Sequence, residues 1–162
     1  MTGLYSSMAT SKDLENKGIW LDLDHSRILL ARAGGQNIKY NAAAERIANE
    51  HRRVFQHGLM TSAKGKELLR KLYADTVVLD WLSKDANGTL DLEGNPIGDD
   101  YPADEPRYVR GIGQPDGTVG EFNKANVIKV FVDIEDLLLM VKDTAESLTY
   151  YRKDLIEDVA GN

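Results

Sequence analysis

The sequence predicts a mainly α-helical domain of four to five helices, with a short N-terminal β-hairpin and one long loop excursion. Three observations support this fold class. Apolar residues recur at helical spacing over most of the chain, a stretch near residue 20 alternates with period two, and all four prolines fall within residues 85–121. The 162 residues suit one domain. We assign residues 18–160 to this domain, residues 1–17 to a mobile arm and residues 86–118 to a loop insertion.

The period-two stretch predicts the β-hairpin. Ile19, Leu21 and Leu23 alternate with residues of other character, which is typical of a strand with one buried face. A second apolar run follows, and Asp24–Ser26 between the two runs is turn-like. A small hairpin closed by Gly34-Gly35 is the simplest account.

Two amphipathic helices are expected after the hairpin. The first begins at its N-cap Asn37 and ends at Gly58, and the second is capped by Thr61 or Ser62. Because the link between them is only a few residues, they should form an antiparallel α-hairpin. The apolar stripe of the second helix continues to Trp81, which we place at the buried end of that helix.

The pair Asp80-Trp81 admits two interpretations. A carboxylate beside an indole is a possible catalytic arrangement in an aromatic pocket. However, Trp81 continues an apolar stripe, and an aromatic residue in such a stripe usually belongs to the core. We favour the structural interpretation, in which Asp80 faces solvent or caps a neighbouring amide.

The second half of the chain is a loop region followed by helices. Residues 85–121 form a long excursion that contains a short hairpin around Asp116-Gly117. Helix returns after the N-cap Asn123. A further helix, capped by Asp133, carries the apolar stripe onwards through Tyr150 and Tyr151.

Composition and spacing disfavour several classes of function. The absence of cysteine excludes thiolate catalysis and iron–sulfur clusters, and the net charge of −6 disfavours binding to phosphate backbones. His51 and His57, six positions apart, lack the spacing of a zinc helix, and no serine lies in a nucleophile elbow. No secretory signal or membrane-crossing stretch is evident. We therefore expect no metal, no cofactor, no nucleic-acid or membrane partner and no enzymatic activity.

Several short segments are informative as a set. In chain order they are Gly18–Asp24 with Ile28–Gly35, Asn37–Tyr40, Arg52-Arg53, Leu68–Ala74, Thr76–Trp81, Phe122–Asn126, Asp133–Leu137 and Tyr151–Leu155. As a set they resemble the tail assembly chaperones of long-tailed (siphovirus-type) bacteriophages, over about residues 18–85 and 119–160. Residues 86–118 are longer than the connection such proteins usually have.

The resemblance implies a non-catalytic role in the cytoplasm of an infected bacterial host. Such a chaperone binds the helical tape-measure protein, keeps it soluble and helps to recruit tail tube subunits, and it is not expected in the mature virion. Self-association is compatible with this role. The alternative is a small structural tail component, such as a connector or minor tail protein, that is retained in the virion.

A partner-binding surface is expected on the last helix and on the excursion. Four consecutive apolar residues, 137–140, cannot all face one core, so at least one of them should point outward. We assign Leu139, Met140, Tyr150 and Tyr151 to this surface.

Overall fold

A central antiparallel sheet organises the domain, as seen in a computed structural model that describes residue 3 and residues 10–152. The helices are α1 (Lys12–Lys17), α2 (Ile38–Glu50), α3 (Arg52–Gln56), α4 (Ser62–Thr76), α5 (Lys124–Asp133), α6 (Glu135–Glu146) and a 3-10 helix (Leu148–Tyr151). The strands are β1 (Ile19–Asp22), β2 (Ser26–Leu30), β3 (Val78–Lys84), β4 (Tyr108–Arg110), β5 (Ile112–Gly113) and β6 (Val119–Gly120). Strands β1 to β4 form one sheet in that order, while β5 and β6 form a separate two-stranded sheet.

The prediction of a mainly α-helical fold is wrong, because the described chain is a mixture of helices and antiparallel sheet. The main error lies at residues 77–84, which were predicted to lie in and after the second helix. Helix α4 ends at Thr76, and the chain continues as β3, which pairs with β2 on one side and with β4 on the other. Trp81 therefore lies in a central strand. It is nevertheless buried, as expected for a core residue.

The core lies between one face of the sheet and the helices. It brings Ile28 and Trp81 of the sheet together with Tyr73 of α4, Phe131 of α5 and Val141 of α6. Helix α2 joins this layer through Tyr40, whose ring meets that of Tyr73 edge-on, with a centroid distance of 6.1 Å. The predicted helical pair thus exists as packed helices, but the first is interrupted at His51, so that α3 is the last part of the helix predicted to end at Gly58.

The opposite face of the sheet is covered by the excursion. Arg27 donates a hydrogen bond to the carbonyl of Leu92, and Arg110 Nη2 donates one to the carbonyl of Gly94 over 3.2 Å. Leu82, which pairs with Arg27 across β2 and β3, is fully buried. Residues 86–118 are therefore integrated into the fold, and they supply β4 to the main sheet.

The predicted hairpin within the excursion is confirmed as β5 and β6. Its turn surrounds Asp116-Gly117, and the amide of Gln114 donates a hydrogen bond to the carbonyl of Thr118 over 2.7 Å. The N-terminal hairpin is also confirmed, as the pair β1 and β2.

Three predicted helix caps are confirmed. The side chains of Asn37, Thr61 and Asn123 each accept a hydrogen bond from the backbone amide three residues later. These residues stabilise helix starts because the first amides of a helix have no partner within it.

The helix boundaries near Asp133 and Tyr150 differ from the prediction. Asp133 is the last residue of α5, and α6 follows Ile134, which makes no side-chain cap. Helix α6 ends at Glu146 because Ser147 is extended, with φ −74° and ψ 118°. Tyr150 and Tyr151 therefore lie in the 3-10 helix.

Residues 10–17, which belong to the predicted mobile arm, make several contacts with the rest of the domain. Helix α1 carries Glu15, which is buried and accepts hydrogen bonds from Thr10 and from the amide of Gln36. The amide of Ser11 donates a hydrogen bond to the carbonyl of Tyr151 over 2.8 Å. The remainder of the predicted arm, apart from Gly3, and residues 153–162 lie outside the described part of the chain.

Candidate functional site

The residues predicted to bind a partner fall in different environments. Leu139, Met140 and Tyr150 are half-exposed, as a binding surface requires, whereas Leu137 and Leu138 are buried. The prediction that the apolar run 137–140 has an outward-facing member is therefore confirmed.

Tyr151 cannot belong to such a surface. It is fully buried, and its hydroxyl donates a hydrogen bond of 2.9 Å to the carbonyl oxygen of Leu30 in β2. Burial raises the pKa of the Tyr151 hydroxyl well above its usual range. The assignment of Tyr151 to a partner-binding surface is wrong, because the 3-10 helix turns this side chain into the core while it leaves Tyr150 outside.

An apolar groove of about 340 Å³ lies at the corner between α5 and α6. Its apolar lining consists of Leu23, Trp81, Ile112, Val130, Ile134, Leu137 and Met140. We call this feature the corner groove. Its walls come from four parts of the chain: the β1–β2 turn, β3, β5 and the α5–α6 corner.

The apolar surface continues past the corner groove. A second cavity, of about 330 Å³, shares Gly113, Val130 and Ile134 with it. Ile134, which lines both cavities, is half-exposed. An isolated apolar side chain on a surface is ordinary, but adjoining apolar residues around a concave site are typical of a place where another molecule binds.

Ile134 is exposed because of its position in the backbone. It ends α5 and precedes α6, with φ −126° and ψ 83°, so it belongs to neither helical stripe. The helix predicted to be capped by Asp133 includes Ile134 in its apolar face. The cap lies one residue later, at Ile134, and this residue is therefore between the two helices.

Trp81 forms part of the groove, and it carries a polar group with no partner. The residue is only 3% exposed, and its indole Nε1–H has no hydrogen-bond acceptor among the described residues. A buried tryptophan N–H usually has an acceptor. The nitrogen itself is buried, so the groove does not expose this donor.

The neighbouring Asp80 serves the fold. Its carboxylate receives two hydrogen bonds from Arg110, of 2.9 Å from Nε and 3.0 Å from Nη2, and one of 2.8 Å from the backbone amide of Trp81. The two bonds from Arg110 join β3 to β4, and the one from Trp81, within β3, matches the amide cap that the structural interpretation allowed.

Negative charge borders the corner groove. Asp136 lines it and Asp133 lines the adjoining cavity, and neither forms an ion pair within residues 10–152. Lys129 lies nearby, where its ammonium donates to Gln114 Oε1 over 3.3 Å. Glu135 is paired with Lys66 over 2.5 Å, and this hydrogen bond holds the pKa of Glu135 below its usual range.

The groove thus offers apolar contact beside the carboxylate of Asp136, and the carboxylate of Asp133 lies at the adjoining cavity. This combination suits a partly apolar and basic partner. Within the described residues, no group of three or more His, Asp or Glu side chains is placed to hold a metal ion. None of the helices described is long and apolar enough to span a membrane. Comparisons of the chain with family models, curated proteins and solved structures found no match.

Proposed function

We propose that this protein is a non-catalytic assembly chaperone that holds an apolar helical stripe of a client protein in the corner groove. The observation that carries this proposal is the concave apolar surface at the α5–α6 corner, with Ile134 and Met140 half-exposed beside it. The resemblance to phage tail assembly chaperones names the client: the tape-measure protein of a long-tailed phage, bound in the host cytoplasm while tail tube subunits are recruited.

The energetics favour a helical client. A tape-measure chain is a long amphipathic helix whose apolar stripe is exposed to water until the tube encloses it. Removal of apolar surface from water contributes roughly 25 cal/mol per Å², and a groove contacts residues spaced three and four apart on one helix. Many copies of the chaperone along one client add avidity, so each single contact need only be modest.

The charges favour a basic client. The chain has a net charge of −6, and Asp133 and Asp136 border the apolar surface without ion-pair partners in the described structure. Positive side chains that flank the apolar stripe of a client would meet these carboxylates. Such complementarity speeds association and disfavours acidic competitors.

The test is capture of tape-measure fragments on the immobilised protein. We expect Ile134→Glu and Met140→Glu to reduce capture at least about tenfold, because each places a charge in the apolar surface. Leu59→Glu is the matched control, since Leu59 is 68% exposed and is absent from the groove lining. Equal capture by all three variants would contradict the proposal.

The composition of purified phage particles separates this function from the structural alternative. A chaperone should be absent from finished particles, as mass spectrometry can establish. A fixed copy number per particle would instead assign the chain to the tail itself, as a connector or minor tail protein.

A further inference from the structure

We infer that the protein has a second binding surface, the basic tip, which docks an acidic amphipathic helix of a partner protein. The basic tip belongs to α3 and to the chain that leads into α4, and its members are Arg52, Arg53, Phe55, Leu59 and Lys64. It shares no residue with the lining of the corner groove. The inference therefore goes beyond the proposed function and does not depend on it.

Two apolar side chains of the basic tip are exposed and held in a defined position. Helix α3 contains no buried residue, and Phe55 and Leu59 are 50% and 68% exposed. The amide of Leu59 donates a hydrogen bond of 2.9 Å to the carbonyl of Val54. The amide of Gly58, whose φ is +64°, donates one of 3.2 Å to the carbonyl of Phe55. Together these bonds form a Schellman motif, so a partner meets an ordered surface and binding costs little conformational entropy.

The charge of the basic tip is opposite to that of the whole chain. Residues 51–66 contain two arginines and two lysines but no Asp or Glu, whereas the chain has a net charge of −6. Lys64 and Lys66 pair with acidic residues outside this range. Arg52 and Arg53 are exposed, and neither forms an ion pair with any residue that the structure describes. Their planar guanidinium groups are therefore free to bind carboxylates of a partner.

The basic tip adjoins a cavity of about 290 Å³ between α2 and α4, whose lining includes His51 and Lys64. The rest of the lining is apolar (Ala43, Ile47, Leu68 and Leu72) or charged (Arg46, Glu50, Lys71 and Asp75). Asp75 is paired with Lys124 over 3.1 Å, whereas Arg46 has no ion-pair partner within the described ranges. An apolar groove between helices is a typical site for a further amphipathic helix.

These features favour an acidic protein helix over a nucleic acid. A few unpaired arginines neutralise few phosphates, and the negative charge of the whole chain repels a polyanion. Phe55 and Leu59 offer apolar contact, which the apolar stripe of a helix can cover. Glu side chains that flank this stripe would meet Arg52 and Arg53, so charge and apolar area select the same partner.

Two synthetic helical peptides test the inference by isothermal titration calorimetry. Both carry a Leu stripe on an Ala background, flanked by Glu in one peptide and by Gln in the other. We expect the protein to bind the Glu peptide at least about tenfold more tightly, because only Glu pairs with the arginines. Arg53→Glu should abolish this preference. Lys39→Glu makes the same change of net charge at an exposed position of α2 and should retain it.

Leu59→Glu and Ile134→Glu separate the basic tip from the corner groove. Leu59→Glu should weaken binding of the Glu peptide at least about tenfold and leave the capture of tape-measure fragments unchanged. Ile134→Glu should have the reverse effects. Equal binding of the Glu peptide by the native protein, Arg53→Glu and Leu59→Glu, or no binding at all, would overturn the inference and leave the proposed function intact.

Two further measurements examine other occupants of the basic tip. Sedimentation of the protein alone would assign the basic tip to a second copy if Leu59→Glu abolished self-association. Titration with a DNA duplex would assign it to nucleic acid if Arg53→Glu abolished binding and Leu59→Glu did not. We expect neither result, and either one would overturn the inference.

Discussion

The side-chain amide of Asn37 donates a hydrogen bond of 2.9 Å to the carbonyl oxygen of Thr76, and so ties the first turn of α2 to the last turn of α4. The same amide donates to the carbonyl of Arg32 over 2.8 Å, while its oxygen accepts from the amide of Tyr40 over 3.2 Å. Asn37 is only 5% exposed. One residue therefore fixes the junction of two helices with the chain that leaves β2.

Asn37→Asp should destabilise the protein strongly, although it preserves the shape of the residue. A carboxylate still caps Tyr40, but it has no N–H groups and faces the carbonyls of Arg32 and Thr76. We expect the free energy of unfolding to fall by at least about 2 kcal/mol in urea titrations. The exposed Asn41→Asp serves as the control and should change it by less than about 0.5 kcal/mol.

Tyr151→Phe should reduce stability, whereas Tyr150→Phe should not. The first change removes the buried hydrogen bond to the carbonyl of Leu30, at a cost of about 1 kcal/mol, while the second alters a half-exposed ring. Thermal unfolding of the two variants compares them directly. A larger loss from Tyr150→Phe would reverse our assignment of which tyrosine is structural.

Glu15→Gln should loosen α1 from the rest of the domain. The buried carboxylate lies 3.3 Å from Arg32 Nη1 and accepts a hydrogen bond of 2.6 Å from the amide of Gln36. Loss of its charge leaves Arg32 largely buried without an anionic partner, so we expect a cost of about 3 kcal/mol and faster amide exchange in α1.

Asp13→Asn provides the control on the same helix. Asp13 pairs with Lys17 over 3.2 Å, but both side chains are about three-quarters exposed. Such an exposed ion pair contributes little to stability, so the free energy of unfolding should change by no more than about 0.5 kcal/mol. A similar loss of stability in both variants would contradict the prediction that the buried carboxylate of Glu15 is the more important of the two.

The pair Lys66–Glu135 should make part of the stability dependent on pH. The hydrogen bond from Lys66 lowers the pKa of Glu135 from its ordinary value of 4.5. Because the pKa is lower in the folded state, the pair stabilises the protein above pH 4.5, and this contribution is lost as the pH falls through the lowered pKa.

Titration of Glu135 by nuclear magnetic resonance checks this expectation. Lys66→Gln should raise the pKa of Glu135 towards its ordinary value and flatten the acid side of the stability profile. Lys64→Gln is the control, because Lys64 pairs with Glu67 and not with Glu135. Identical titration curves in all three proteins would contradict the prediction.

The sequence was sufficient to predict those features whose interacting residues lie close together in the chain. The caps Asn37, Thr61 and Asn123 act on amides three residues away, so the sequence contains both partners of each interaction. The β1–β2 hairpin likewise depends on a short turn and on alternation within a few residues.

Strand β3 could not be assigned in the same way. The apolar run around Val78 and Trp81 fits either the end of a helix or a buried strand. The strand forms because it pairs with β2 on one side, through Ile28, and with β4 on the other, through Arg110. Both residues lie far away in the chain. Residues 72–84 themselves contain no signal that they pair with β2 and β4.

The candidate site was predictable in part for the same reason. The outward position of Leu139 and Met140 follows from four consecutive apolar residues on one helix, which is a local argument. The groove requires Leu23, Trp81 and Ile112 to meet the α5–α6 corner, and only the tertiary fold brings them together. The burial of Tyr151 similarly depends on Leu30, more than a hundred residues earlier.

The contact between the two ends of the described chain has a practical consequence. Thr10 and Arg152 form an antiparallel bridge, and the amide of Ser11 reaches the carbonyl of Tyr151. A short linker from Arg152 to Thr10, with new ends opened in the exposed connection before α4, would give a circular permutant that retains the sheet and the corner groove. A label attached to one of the new ends would leave the contact between Thr10 and Arg152 undisturbed.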